Sequence, residues 1–384
     1  VGQMYARVID TARRLGVGLT ESAPGARFDG FAIHVNGTLL APAAWPDSPA
    51  NALAPAERRI PPFGLMPAFV GRNNPLKGLD DWLQPAHAAL DVPADRWLAE
   101  RGASPEAVRL MGCNLNGNSL PTMSALQLLR SATIIQAGPQ PSTQYRIDGG
   151  SSRLTEAMAR AVKGPLELGQ TVVALRSTPG GVEAHTRDGR RFRAAHAVVA
   201  IPFAVLRDVQ LDPLPPDAQR EAIRAMPYTR ITQVHLSAKR PYWEDGLPSS
   251  MWTDTGIGRL FAIGAREAGG AGLNVWVTGA NADAFDALDE AALRAHVAAE
   301  LKRLRPSTNG EFEFHRVVSW QKNPWQRGAY HHWAPGQIAR LAPTAAAPLG
   351  RVHFAGEHSA TLMSGMEGAM ESGERAALAI AESL

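Results

Sequence analysis

An apolar strand that runs into a glycine turn and then a helix leaves bare backbone N–H groups at the positive end of a dipole, a place suited to negative charge. Residues 350–384 have this order: Gly350-Arg351-Val352-His353-Phe354-Ala355-Gly356-Glu357, a loop ending in Ser364-Gly365, then an alanine-rich run from Met366. Lys239 closes an alternating run over 231–238 and precedes Pro241-Tyr242-Trp243. A lysine at a strand end ordinarily faces water, whereas beside a pocket its ammonium stabilises a developing anion. Trp320 and Tyr330 stand ten residues apart across Asn323-Pro324-Trp325 and would offer aromatic faces with polar tips. Metal and disulfide chemistry lack their residues. Cys113 is the only cysteine, and the eleven histidines contain no H-x-x-x-H or H-E-x-x-H spacing.

Those groups need elements to hold them. Residues 5–15 place Val8, Ile9, Ala12 and Leu15 at helical spacing before Gly16. Residues 40–75, rich in Pro, Ala, Gly and Asn, read as loop, and helices are expected over 79–90, 94–101, 105–111 and 123–136. After Gln144 come a Gly149-Gly150 turn, a helix over 154–162, and strands over 170–177, 181–186 and 191–193 separated by Pro179-Gly180-Gly181 and Asp188-Gly189. The apolar run 197–202 suits a strand buried on both faces. Further strands are expected over 231–238, 259–264, 274–278 and 313–319, with helices over 290–305 and 366–384.

A chain of 384 residues exceeds the roughly 250–300 at which a single core stops growing, so two domains are expected. With 39 basic against 36 acidic side chains and no long run of either sign, a nucleic-acid-binding face is not indicated. No apolar run reaches the roughly 18–20 residues of a membrane span. Val1-Gly2-Gln3-Met4-Tyr5 lacks the basic and apolar regions of a secretory signal, and the missing initiator methionine suggests a fragment or processed product. The compartment stays open between cytoplasm and periplasm for a soluble protein.

The wording of residues 351–377, RVHFAGEHSATLMSGMEGAMESGERAA, resembles the C-terminal flavin motif of the flavin-containing amine oxidases, the family of monoamine oxidases, polyamine oxidases and L-amino-acid oxidases. The resemblance implies that Gly356 and Glu357 lie by the ribityl-phosphate part of FAD. It also implies that the helix bearing Gly365, Met366, Glu367 and Gly368 points at the isoalloxazine ring, where charge builds on the N1/C2=O edge on reduction. Upstream, residues 146–154 are similar to the family's Gly-Gly turn, residues 171–175 to the strand beside the adenine through backbone at Val172, and residues 197–202 to its V-V-x-A-I-P strand. Residues 234–243 resemble the strand ending in the lysine that holds a water against flavin N5, implying that role for Lys239. Residues 319–330 parallel the segment from a tryptophan near the flavin, here Trp320, to the aromatic residue facing it, here Tyr330. Trp325 and Gly365 are then further substrate contacts.

Three departures qualify what is implied. Ala329 occupies the place of the monoamine oxidases' flavin-bonding cysteine, so FAD should be non-covalent. The loop before the helix is one residue short, and the place where a second tyrosine would complete an aromatic cage is either Gly365 or lost in that deletion, which leaves room for a bulkier substrate. No G-x-G-x-x-G turn occurs, since the glycines at 149–150, 180–181 and 269–270 have the wrong spacing or context. A dinucleotide-binding unit of about sixty residues is therefore expected upstream or on a separate chain.

The expected fold is α/β, a Rossmann-like FAD-binding domain lacking its N-terminal βαβ and interleaved with an α+β substrate-binding domain. The first takes residues 1–20, 145–228 and 323–384, the second 21–144 and 229–322. The expected function is FAD-dependent oxidation of a primary or secondary amine to an imine, with O2 reduced to hydrogen peroxide. The alternatives are an L-amino-acid oxidase using Arg240, Arg146 or Arg130 for the substrate carboxylate, a dehydrogenase passing electrons to a redox protein, and a non-catalytic interaction module. A homodimer is compatible with all four.

Overall fold

The computed structural model describes residues 1–22, 30–138, 143–263 and 272–383. Gly264, expected to end a strand, the Gly269-Gly270 pair and Leu384 lie outside them.

Side-chain alternation organises the largest sheet. Its seven strands lie in the order Phe312–Ser319, Ile231–Ala238, Gly272–Thr278, Arg259–Ile263, Ser250–Thr253, Phe31–Val35, Thr38–Leu40. Val234, Leu236, Met251, Leu260, Leu273, Val275 and Val277 point to one face, where they pack on Phe285, Leu293, Val297 and Leu301 of helices Ala280–Asp286 and Glu290–Leu304. The residues between them turn to the other face. There Phe31, Ile33 and Trp252 join a core with Leu65, Phe69, Leu110, Leu126 and Leu129 of helices Pro62–Arg72, Pro105–Cys113 and Ala125–Ala137. Thus Gln233, His235, Arg259, Phe261, Asn274 and Trp276 all look from the sheet toward the helical layer.

The remaining sheets are smaller. One has four strands, Arg191–Ala194, Gly181–Thr186, Val172–Thr178 and Gln210–Asp212; another pairs Ala197–Val199 in parallel with Val352–Phe354. A third pairs Leu19–Ser22 with Gln144–Ile147. The closing helix, Gly365–Ala381, packs on the opening helix, Ala6–Arg14. The α/β class is as expected.

Three expectations are corrected. Residues 40–75 contain the helix Pro62–Arg72, which proline content disguised: Pro62 sits in the first turn, where its fixed φ suits a helix and its missing N–H would have no intrahelical partner. Residues 79–90 form two 3-10 segments, Asp81–Leu83 and Pro85–Leu90, instead of one α-helix. The run 197–202 is a strand only at Ala197–Val199 and is not buried on both faces, since Val198 is 46% and Ile201 39% exposed.

Candidate active site

The closing motif is a loop pinned from both sides. Gly356 has φ +125°, and a Cβ there would lie 2.6 Å from the His358 ring. Its N–H donates to Ser372 Oγ at 2.8 Å. Glu371 reaches back from the closing helix, and its carboxylate accepts the N–H groups of Thr361, Leu362 and Met363 at 2.9, 3.1 and 2.8 Å. From the opposite side, Arg130 donates to the carbonyls of Ala360 and Met363 at 2.8 and 3.0 Å, with its guanidinium 4.1 Å over the Trp82 ring. Burial lowers Arg130 to about 10, against the pull of Glu357 and Glu371. Glu371→Gln is expected to lose about 1–2 kcal/mol, because a neutral amide oxygen replaces a charged acceptor for three donors. Urea melts of the two proteins check this, and equal midpoints would refute it.

At the N-terminus of the closing helix, Ser364 makes no capping bond, so the first-turn N–H groups of Gly365, Met366 and Glu367 face outward without an intrahelical acceptor. Met366 is 39% exposed. Glu367 corrects the expectation that it faces a cofactor. Its carboxylate, 1% exposed, turns to the opening helix and accepts the N–H groups of Arg7 and Val8 at 3.0 and 3.1 Å, with the Arg7 guanidinium at 3.3 Å. The physical reason is that Tyr5, at the N-cap of that helix, supplies no side-chain cap. The Tyr5 hydroxyl lies 3.1 Å from where a Gly365 Cβ would stand.

Glu357 is held by His331, whose Nδ1 lies 2.9 Å from Oε2. Burial would raise the carboxyl, but His331, His358 and Arg130 outweigh it, and Glu357 sits below the usual range. The Nε2 atoms of His331, His332 and His358 are buried with no partner.

The second part of the site lies on the inner face of the large sheet. Trp320, just after the Phe312–Ser319 strand, donates its indole N–H to Gln233 Oε1 at 2.8 Å. Its backbone N–H bonds Ile231 O and its carbonyl accepts from Gly328, which folds the chain back toward Tyr330. Tyr330 bonds Thr229 through its carbonyl, and burial pushes its phenol up to about 12, with Arg259 opposing and Glu357 adding. The phenol is therefore neutral at ordinary pH. Tyr330 precedes the His331 that grips Glu357, so sheet face and closing motif meet here.

Not every expected residue arrives. Lys239 is exposed, and its N–H bonds Glu311 O at the far end of the Ile231–Ala238 strand. Six residues separate it from Gln233, about 20 Å at strand rise, so it is not part of this cluster. Trp325, 59% exposed, stands in solvent. Val172 opens its hairpin opposite Thr186 next to a register irregularity. Gln233 was not among the expected residues, although its amide in a largely apolar strand signals an inward-facing polar group with a partner of its own, here Trp320.

A protein-family model described as flavin containing amine oxidoreductase matches residues 100–381. The chain belongs to this family. It is 30% identical over 250 residues to a flavin-dependent L-tryptophan oxidase of Lentzea aerocolonigenes, covering 61% of this chain and 52% of that one. It is 28% identical over 284 residues to a putative L-amino-acid oxidase of Bacillus subtilis (strain 168), covering 71% and 59%. The chain thus spans between half and three fifths of the length of these relatives. Its fold is that of cyclohexylamine oxidase from Brevibacterium oxydans IH-35A, with TM-score 0.82 at 23% identity over 100% of this chain and 86% of that one. Putrescine oxidase bound to putrescine gives a TM-score of 0.80 at 20% identity, covering 100% and 87%.

The family implies a flavin, and the residues present fit one: an uncapped helix start, side-chain-free backbone at Gly356 and Gly365, and unpartnered buried histidine nitrogens on the adjoining segments.

Proposed function

We propose that this chain is the body of an FAD-dependent enzyme that oxidises an amine. The observation that carries the reading is the Trp320–Gln233 pair beside Tyr330, where the inner sheet face meets the segment that grips Glu357. FAD, when bound, would accept a hydride from the carbon bearing the nitrogen as the nitrogen gives up a proton, and dioxygen would take up those two electrons with two protons as hydrogen peroxide while water hydrolyses the imine to an aldehyde or ketone and ammonia or an amine. The protein's part is to orient and exclude water. Trp320 and Tyr330 offer aromatic faces to the substrate, and the partly buried surroundings of Tyr330 favour the uncharged amine. Bare N–H groups at Gly365 and Met366 would receive negative charge from the bound group, and Glu357 and the Val172 backbone would help to hold it. Ala329 offers no thiol, so FAD is held non-covalently. Residues 1–20, 145–228 and 323–384 serve the FAD in this reading, and residues 21–144 and 229–322 the substrate. In this reading the ADP half is held by a segment or chain beyond residues 1–384, which contain no G-x-G-x-x-G turn.

Anaerobic mixing of the flavin-loaded protein with primary amines, secondary amines and α-amino acids should bleach the flavin band with at least one of them, and air should then yield peroxide. Bleaching by none would end the proposal; cytochrome reduction without peroxide would replace the oxidase with a dehydrogenase. Lys239→Met is expected to leave flavin reoxidation within about twofold of the parent, as for an exposed residue outside the site. Tenfold slower reoxidation in stopped flow would return Lys239 to it. An α-amino acid as the amine is a second reading, favoured by the surroundings of Arg259.

A further inference from the structure

The three arginines that the sequence offered for a substrate carboxylate are engaged elsewhere. Arg240 is exposed and pairs with Glu311, Arg146 is exposed on the strand beside Thr20, and Arg130 is tied to the closing loop. Arg259 differs. It lies on the Arg259–Ile263 strand directly opposite Trp276, which is itself directly opposite Gln233. Residues so paired put their side chains on the same face of a sheet. Arg259 therefore stands two strand spacings, about 10 Å, from the glutamine that holds Trp320.

Its surroundings are those of a cation without an anion. Among the described residues it forms no ion pair, and its one hydrogen-bond partner is the neutral Oδ1 of Asn116, 2.8 Å from Nη2. Its Nε is buried and unpartnered. The guanidinium lies 5.4 Å from the Phe261 ring and 6.0 Å from that of Trp276. Burial weakens its charged form, with only Tyr330 acting the other way. Leaving a charge half-buried among neutral and aromatic groups costs stability unless something else uses it. Two neighbours on the same face are also unsatisfied, Trp276 Nε1 and Asn274 Oδ1.

The geometry points to Arg259 as the receptor for the carboxylate of an α-amino acid substrate, with Trp276 and Phe261 flanking a large flat side chain. The inference rests on the proposed amine oxidation and narrows it. A planar fork of donors matches a carboxylate bidentately, and a simple amine would leave that fork empty. Arg259 thereby sets specificity through binding.

Two experiments on the flavin-loaded protein separate this from the wider proposal. In calorimetric titration, phenylacetate should bind more tightly than phenylacetamide. Arg259→Met should weaken phenylacetate by about tenfold or more and leave phenylacetamide unchanged. Arg259→Lys, which keeps the charge without the fork, should fall between, and provides the reading if the methionine variant does not fold. Equal binding of the two ligands by the parent, or a preference that survives Arg259→Met, would overturn the inference. In turnover, the ratio of kcat/KM for L-phenylalanine over phenethylamine should exceed one and drop about a hundredfold in Arg259→Met. A ratio unmoved by the substitution would also overturn it. If no amine or amino acid reduces the flavin while the calorimetric difference holds, the oxidase proposal fails and the anion site at Arg259 stands.

Discussion

Between pH 7 and pH 5 the protein is expected to lose about 4 kcal/mol of folding stability, and two buried histidines account for it. His358, 6% exposed, packs 4.3 Å from the Phe203 ring. Burial, then His331, push it down to about 3, with Glu357 pulling up and Arg375 adding to the depression. His332, 1% exposed, sits behind Thr229, and burial, then His331 and Arg230, bring it down to about 4. Both values lie below the ordinary 6.5 of an unfolded histidine. In that window the unfolded chain binds protons that the folded one refuses, so stability rises with pH and falls as the solution is acidified through 6.5. Each histidine contributes roughly 2 kcal/mol by pH 5. Glu357, held below its ordinary value, adds a loss only further down, near and below 4.5. Urea midpoints measured at the two pH values test this. His358→Gln and His332→Gln should each remove part of the slope, and identical midpoints at pH 7 and pH 5 in the parent would refute it.

What the sequence revealed and what it hid follow from range. The closing motif was legible because local order decides it: a strand, a glycine with positive φ and an alanine-rich helix need no distant partner to be recognised. Four of the sheet's seven strands were legible for the same reason, through alternation over runs such as 231–238 and 274–278, whereas Phe31–Val35, Thr38–Leu40 and Ser250–Thr253 were not expected as strands. Its register was not. Lys239 and Gln233 have the same parity in the sequence, so pattern alone could not show that the cluster forms six residues earlier, opposite Trp276. Arg259 was hidden likewise, since its neighbours come from Asn116 and Trp276, far away in the chain. Glu367 and Glu371 were visible as acids near a helix start. That one serves the opening helix and the other the preceding loop is set by tertiary contacts about 360 and 10 residues away. Local propensity also misled where proline is abundant: the residues that argued for a loop at 40–75 instead start a helix at Pro62.

The closing helix carries two glycines whose replacement by alanine should act in opposite directions. Gly373 has nothing within 4 Å of where a Cβ would stand. Alanine there gains helix propensity and restricts the unfolded chain, so Gly373→Ala is expected to stabilise by roughly 0.5–1 kcal/mol. Gly368 gains the same propensity, yet its Cβ would lie 2.9 Å from Ala360 Cβ, 3.0 Å from Met363 O and 3.1 Å from Met363 C. None of these is the far end of a flexible side chain. The loop that bears them is fixed by Glu371 from one side and Arg130 from the other, so it cannot retreat without stretching those bonds. Overpacking of this kind costs about 1–3 kcal/mol for a single methyl against atoms able to shift, and more where they cannot. Gly368→Ala is therefore expected to lower stability by about 3 kcal/mol or more, and Gly368→Val to prevent accumulation of folded, flavin-loaded protein. Thermal and urea unfolding of the two alanine variants side by side decide the matter. If Gly368→Ala matched Gly373→Ala, the helix would not approach the loop closely enough to demand a bare backbone at position 368, and the pinned geometry of residues 360–363 would have to be abandoned.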